Sequence, residues 1–287
     1  DDVAAATEYL QQALRFNPDN ARAAADLANC LTAAGNAAAA TQLCSEFLSR
    51  HPGERLVIAH QALALQAQGE QQAALALIDA RELVQVFDIE ATDSLVSVDE
   101  LNTLLTRLVR DDPSLLSDPV SKSTTGGAQT GELDFSAHPA LAGFYELLCG
   151  AVTEATQRYS DMGLDQHPLM AGADGAQTVR AWGTQLKSGG QQSSHMHPLA
   201  WLSGVYYTHV PADMDSAGTR AGWLEFNRPP KRFYTAGDPQ TWCYEPKPGR
   251  LVLFPSWFWH QTLPFDSTDD RISIAFDIVP LDALRML

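Results

Sequence analysis

The stretch "SSHMHPLAWLSGVYY", residues 193–207, decides how this chain is read. His195 and His197 stand two apart. Side chains along an extended strand alternate between faces, so residues two apart look the same way and these two imidazoles share a side. Imidazoles gathered on one face are a usual transition-metal ligand set. The run "LSGVYYTHV" that follows is short and apolar, as buried strands are.

Working outward, "TVRAWGTQL", "GWLEF", "RLVLFPSW" and "RISIAFDIV" have the same texture, separated by Gly, Pro and Asp. Short strands spaced in this way predict an antiparallel sandwich or barrel, which encloses a pocket. In "GRLVLFPSWFWH" a proline and bulky aromatics close a strand just before His260. One strand later, Arg271 and Ser273 of "RISIAF" again share a face. A metal-sized cluster with a cation beside it is the expectation.

At these residues the chain resembles the Fe(II)- and 2-oxoglutarate-dependent oxygenases, in particular a bacterial group with His-x-His, over roughly residues 175 to 280. The run "PKPGRLVLFPS" carries much of the likeness. The resemblance implies a double-stranded β-helix (jelly-roll) barrel, Fe(II) and 2-oxoglutarate as cofactors, and hydroxylation of a substrate C–H bond as 2-oxoglutarate becomes succinate. It puts His195 on the first iron histidine and His260 on the distal one. It puts Arg271 on the residue that pairs with the far carboxylate of 2-oxoglutarate, with Ser273 beside it and Tyr207 as a tyrosine bonding the same carboxylate. His197 stands where that family usually has a carboxylate ligand. Either His197 completes a three-histidine site, or Glu225 of "GWLEF" supplies a carboxylate and His197 stands behind it. Position and strand parity favour His197.

The front of the chain repeats at an interval of 34 residues: Pro18 recurs as Pro52, Ala28 as Ala62, Gly35 as Gly69, and Ala6 as Ala40 and Ala74. Such a unit needs small residues where two helices touch, a turn glycine, and a proline that ends the second helix. Residues 3 to 88 resemble tetratricopeptide repeats. Such repeats bind peptide on a concave surface, mediate assembly with a protein partner or a second copy, or serve as a rigid arm.

The expected fold is therefore α+β in two domains: helical repeats over 1–90, then a jelly-roll barrel over 91–287 with linker and helices in 91–170. Within that middle part "ALAGFYELLCGAVTEATQRYS" reads as an amphipathic helix with Leu141, Phe144, Leu148 and Val152 near one face. The segment "KSTTGGAQT" lacks phosphate-loop spacing and reads as a flexible loop.

Charge and composition narrow the partners. A net charge of -16 with 19 Lys and Arg in no basic cluster disfavours nucleic acid and anionic membrane. The four cysteines lack metal or disulfide spacing, which suits buried thiols in the cytoplasm. The chain begins at Asp1, and the half repeat there reads as the start of a fragment. His51, His60, His138, His167 and His209 are expected to be hydrogen-bonded structural histidines, and Trp201, Trp223, Trp257 and Trp259 core or rim. The substrate is expected to be a peptide or protein side chain, or a small metabolite. Two rivals stand beside the oxygenase: a three-histidine dioxygenase that does without 2-oxoglutarate, and a repeat scaffold whose barrel binds ligand without turnover.

Overall fold

Capping residues and small side chains make the front half helical. The structure is a computed structural model that describes residues 2–90, 97–215 and 218–283. Five helices open it: α1 (Val3–Phe16), α2 (Ala21–Ala33), α3 (Ala37–Arg50), α4 (Arg55–Gln68) and α5 (Gln71–Ile78). The Asn20 and Asn36 side chains accept the backbone N–H groups of Ala23 and Ala39, so α2 and α3 start with filled caps. Gly35 and Gly69 take φ of 80° and 87° where the chain turns back, a conformation that costs other residues more. Pro18 and Pro52 follow α1 and α3, where a helix cannot continue. Ala28, Ala40, Ala62 and Ala74 are buried at the helix contacts, as the 34-residue spacing requires.

A short turn of helix, α6 (Ala80–Leu83), leads into β1 (Gln85–Asp88). Next come α7 (Val98–Arg110), β2 (Leu116–Ser117), β3 (Thr124–Gln129), α8 (Pro139–Asp161) and β4 (Gln177–His195). The remaining strands are β5 (Leu202–His209), β6 (Leu224–Phe226), β7 (Trp242–Tyr244), β8 (Arg250–Pro255), β9 (His260–Thr262) and β10 (Arg271–Pro280). They form one antiparallel sheet in the order β1-β8-β5-β10-β4-β9-β6-β7, with β3 also laid along β4 and β2 beyond it. The first half of β4 pairs with β10 and its last residues pair with β9, so this 19-residue strand carries the sheet from one layer to the other. The sheet curls into the expected jelly roll.

Alternation along the strands divides the sheet into two faces. One face packs on helices: the Tyr206 hydroxyl donates to Asn102 Oδ1 of α7 at 2.7 Å, and its ring lies 5.1 Å from Phe144 of α8. Gly183 lets α7 come close, because a Cβ there would lie 2.6 Å from Val109. Residues of opposite parity face the cavity described below.

Repeats and barrel share a core. Ile58, Ala59 and Ala62 of α4 belong to the same buried cluster as α7, α8 and the sheet. The last turn of α5 is capped by the barrel: His167, Trp257 and Asn227 donate to the carbonyls of Ala76, Leu77 and Ile78 at 2.7, 3.0 and 2.7 Å. These are carbonyls that a helix end cannot satisfy by itself. Tyr159 and Tyr244 hydroxyls donate to Leu83 and Ala80 just beyond.

Two expectations need correction. The boundary at residue 90 falls after β1, which pairs with β8 through Gln85↔Leu253 to Asp88↔Arg250 and so belongs to the sheet. The segment "KSTTGGAQT" is β3 rather than a loop, held to β4 from Thr124↔Gln192 to Gln129↔Thr184. The linker region also contains α7. No helix among the described residues is long and apolar enough to cross a membrane.

Since the two parts share a core, tryptophan fluorescence and far-ultraviolet dichroism should report one coincident unfolding transition. Asn227→Ala, which strips the Ile78 carbonyl of its donor, should lower stability by about 1–3 kcal/mol in urea melts.

Candidate metal centre

His195 closes β4 and His260 opens β9, and the two are direct partners in the strand ladder. Their rings therefore lie side by side, with centroids 4.3 Å apart. His197 follows just past β4, where its backbone N–H donates to the Ser256 carbonyl. Its ring sits 5.1 Å from His195 and 5.2 Å from His260. One nitrogen from each ring lies within 4.8 Å of the others.

The hydrogen bonds choose which nitrogens those are. The Nδ1 atoms of His195, His197 and His260 bond the Ser193 carbonyl at 2.7 Å, Asp277 Oδ1 at 2.6 Å and the Phe258 carbonyl at 2.9 Å. A neutral imidazole has one donor and one acceptor nitrogen, so an Nδ1 that donates leaves Nε2 as the lone pair. Three such lone pairs converge here. Burial, helped by the neighbouring His197, pushes the pKa of His195 down to about 3, and burial pushes His260 well below its usual value. Both rings are therefore neutral at pH 7, each with its proton on Nδ1, which is the form that ligates. Imidazoles with fixed tautomers fit Fe(II) among the first-row ions. The Ser123 hydroxyl lies 3.3 Å from His195 Nε2.

The second of these bonds brings in Asp277, a residue the sequence did not single out. Asp277 also accepts from the Ser203 hydroxyl at 2.6 Å. Its signal was present as parity: in "RISIAFD" the residues Arg271, Ser273, Ala275 and Asp277 fall on one face. Glu225, the alternative carboxylate, is engaged elsewhere. Its strand neighbour Leu224 lines the cavity, while the Glu225 carboxylate is held by Arg228 at 3.0 and 3.3 Å and by Gln261 Nε2 at 2.5 Å. No metal position lies within reach of both that carboxylate and the histidines among the described metal-sized groups.

The cluster forms part of the wall of a cavity of about 690 Å³, to which Arg271 and Tyr207 also belong. Arg271 is 2% exposed, and its Nε and Nη1 have no hydrogen-bond partner. The guanidinium carbon lies 4.9 Å from the Tyr207 ring centre, and the Tyr207 hydroxyl is also buried and unpartnered. Burial lowers the Arg271 pKa and raises that of Tyr207. Ser273 is the ladder partner of Tyr207 and shares its face, but is not among the residues lining the cavity.

Residues 180–277 match the family model described as "Putative 2OG-Fe(II) oxygenase", and residues 1–68 match a tetratricopeptide repeat model. The chain carries a 2OG-Fe(II) oxygenase domain behind tetratricopeptide repeats. Among solved structures it is similar to a Pseudomonas putida prolyl-4-hydroxylase, at 17% identity and TM-score 0.48, covering 72% of this chain and 98% of that one. A prolyl hydroxylase from Trichoplax adhaerens, in complex with a hypoxia inducible factor peptide fragment, gives 12% identity and TM-score 0.49 over 76% and 95%. A 2OG-Fe(II) oxygenase family oxidoreductase from Burkholderia pseudomallei gives 15% and 0.45 over 72% and 90%. No curated protein matches the chain.

The oxygenase domain makes this a 2-oxoglutarate-dependent non-haem iron enzyme, with Fe(II) and 2-oxoglutarate as cofactors. That match speaks for the oxygenase over the two rivals, a barrel without turnover and a dioxygenase that does without the keto acid. Asp277 orients His197 and places a negative charge one hydrogen bond from its ring. Asp277→Asn should weaken Fe(II) or Co(II) binding by about 10- to 100-fold in an anaerobic titration, while leaving the far-ultraviolet spectrum intact.

Proposed function

We propose that His195, His197 and His260 bind Fe(II) through Nε2, that Arg271 and Tyr207 take the far carboxylate of 2-oxoglutarate, and that the enzyme hydroxylates a peptide or protein side chain. One observation carries the reading. A guanidinium buried to 2% exposure with two open donors, beside a tyrosine hydroxyl with none satisfied, forms part of the same cavity wall as the three histidines.

An unpaired buried cation is expensive, and folding leaves one only where something else compensates it. A carboxylate does so well, since the planar guanidinium offers it two parallel N–H groups. The Tyr207 hydroxyl adds a further donor. Ser273, the ladder partner of Tyr207 on the same face, is the expected support for this end.

Bound iron and keto acid together supply the oxidising chemistry: dioxygen is consumed, 2-oxoglutarate loses carbon dioxide to give succinate, and a substrate C–H gains a hydroxyl. The chain's own residues do the rest. His195 and His260 stay neutral, so the ligand nitrogens need not lose protons first. Asp277 holds His197 by its Nδ1 proton. Phe254 and Trp182, both in the cavity wall, keep apolar surface beside the centre and limit the access of water. A peptide or protein substrate is favoured over a small metabolite because the cavity does not end at the barrel: Arg22, Asp26, Leu56 and His60 of the repeat helices also line it.

Anaerobic titration of the Fe(II)-loaded protein with 2-oxoglutarate should give a saturable visible charge-transfer band as the keto acid chelates the metal. Arg271→Ala should raise the 2-oxoglutarate concentration at half-saturation by about 100-fold. A band that saturates at the wild-type concentration in that variant would remove Arg271 from the site.

A further inference from the structure

His60 departs from the other histidines outside the metal centre. His51 and His209 bond Asp19 and Asp269, and His138 and His167 accept backbone N–H groups at helix starts. His60, on α4, is 2% exposed, and neither ring nitrogen has a partner. Its ring stands edge-on to Phe233 at 4.7 Å and to Trp259 at 6.1 Å. The Trp259 indole N–H is likewise buried and unpartnered. All three side chains line the cavity where it passes from the barrel to the repeats. A neutral imidazole keeps one N–H, so two donors without acceptors lie close together in a cavity wall. Buried polar groups are nearly always bonded, and two exceptions in one wall point to acceptor oxygens that arrive with a ligand.

Charge gives the second, independent observation. The chain has 19 basic and 35 acidic residues, yet five basic ones line this cavity against three acidic ones. The acidic three are all engaged: Asp26 by Arg22, Glu132 by Arg180, and Asp277 by His197. With Arg271 assigned to 2-oxoglutarate, Lys122 and Arg232 remain, and neither has a carboxylate within 4.0 Å among the described residues. Both are exposed, one just before β3 and the other in the loop between β6 and β7. A cationic mouth on a body of charge -16 selects for a negatively charged visitor at close range.

We infer that the seam between repeats and barrel binds an extended acidic peptide segment as the substrate strand. His60 and Trp259 meet its oxygen acceptors, and Lys122 and Arg232 meet its carboxylates. A polypeptide fits better than a free dicarboxylate because the acceptor-seeking donors lie on the repeat side of a cavity that continues to the three histidines. The assignment of this peptide as substrate rests on the oxygenase reading, but its binding does not.

Fluorescence anisotropy of the full chain would test this with three labelled ten-residue peptides, matched in apolar content and carrying net charge -4, 0 and +4. The acidic peptide should bind at least about tenfold more tightly than the neutral one, with the margin shrinking as salt is added. Arg232→Glu and Lys122→Glu, both at exposed positions, should each weaken it about tenfold. His60→Phe, checked by thermal melting, should weaken it severalfold without changing the salt dependence. Equal binding of the three peptides, or unchanged affinity in both charge-reversed variants, overturns the inference. So does displacement by free glutamate at concentrations as low as the peptide's own, which would mark a small acid as the ligand. The charge-transfer titration on the same preparation judges the oxygenase reading separately: a band with no charge preference among the peptides fails this inference alone.

Discussion

Strand β10 lies between β4 and β5, and its register against both is the constraint on which the site depends. Arg271, Ser273, Ala275 and Asp277 share one face, and Ile272, Ile274, Phe276 and Ile278 share the other. A slip of one residue would turn the cation and the carboxylate toward α7 and α8 and put isoleucines in the cavity. The apolar side prevents this: all four of its residues are buried, and each such burial stabilises by about 1.5–3 kcal/mol. Energy gained on the helix face thus holds an uncompensated guanidinium and an imidazole-bound carboxylate on the other. The same register makes Tyr207 the partner of Ser273 and brings its ring under Arg271.

A similar dependence joins the repeats to the barrel. The end of α5 has carbonyls with no helical partner, and barrel side chains from three separate segments supply the donors. In return, α2 and α4 provide one wall of the cavity. The barrel also places its own loop on the repeats, where the Tyr234 backbone N–H donates to Asn29 Oδ1. This front part is therefore a wall of the site rather than a detached arm. Any peptide that reaches the repeat side must share it with Phe233.

How legible this was in the sequence varied with the range of the interaction that decided each element. Helix contacts at Ala28 and Ala62, turns at Gly35 and Gly69, and the longer strands were readable because period and turn chemistry are local. The histidine cluster was readable because His195 and His197 are two apart and His260 follows a strong strand. Strand β1 was not readable, because "QVFD" is extended only through its pairing with β8, far along the chain. The same holds for β3, whose "TTGGAQ" has poor strand propensity and is held by β4; a Cβ at Gly127 would lie 2.4 Å from the Gln185 carbonyl, so this pairing needs glycine there. Glu225 stayed an open alternative to His197 because a strand of three residues gives no parity to read against. Asp277 shares the parity of Arg271 and Ser273, but its bond to His197 spans 80 residues and is written nowhere in the local pattern.

Asp277 also bears on the histidine at the family's usual carboxylate position. Three neutral imidazoles leave the two positive charges of Fe(II) uncompensated by direct ligands. Here a carboxylate sits one hydrogen bond behind His197, so its charge acts on the centre without occupying a coordination position. With Arg271 cationic, Asp277 anionic and 2-oxoglutarate carrying two negative charges, the proposed site would be electrically neutral once loaded. A direct carboxylate in place of His197, with Asp277 retained, would make it negative inside a largely buried pocket. The two exchanges offset one another: moving the carboxylate outward by one imidazole keeps the charge count and leaves the ligand set all nitrogen. In the proposed site the hold on His197 would then depend on one hydrogen bond to Asp277, 2.6 Å long, and that bond depends on the register of β10.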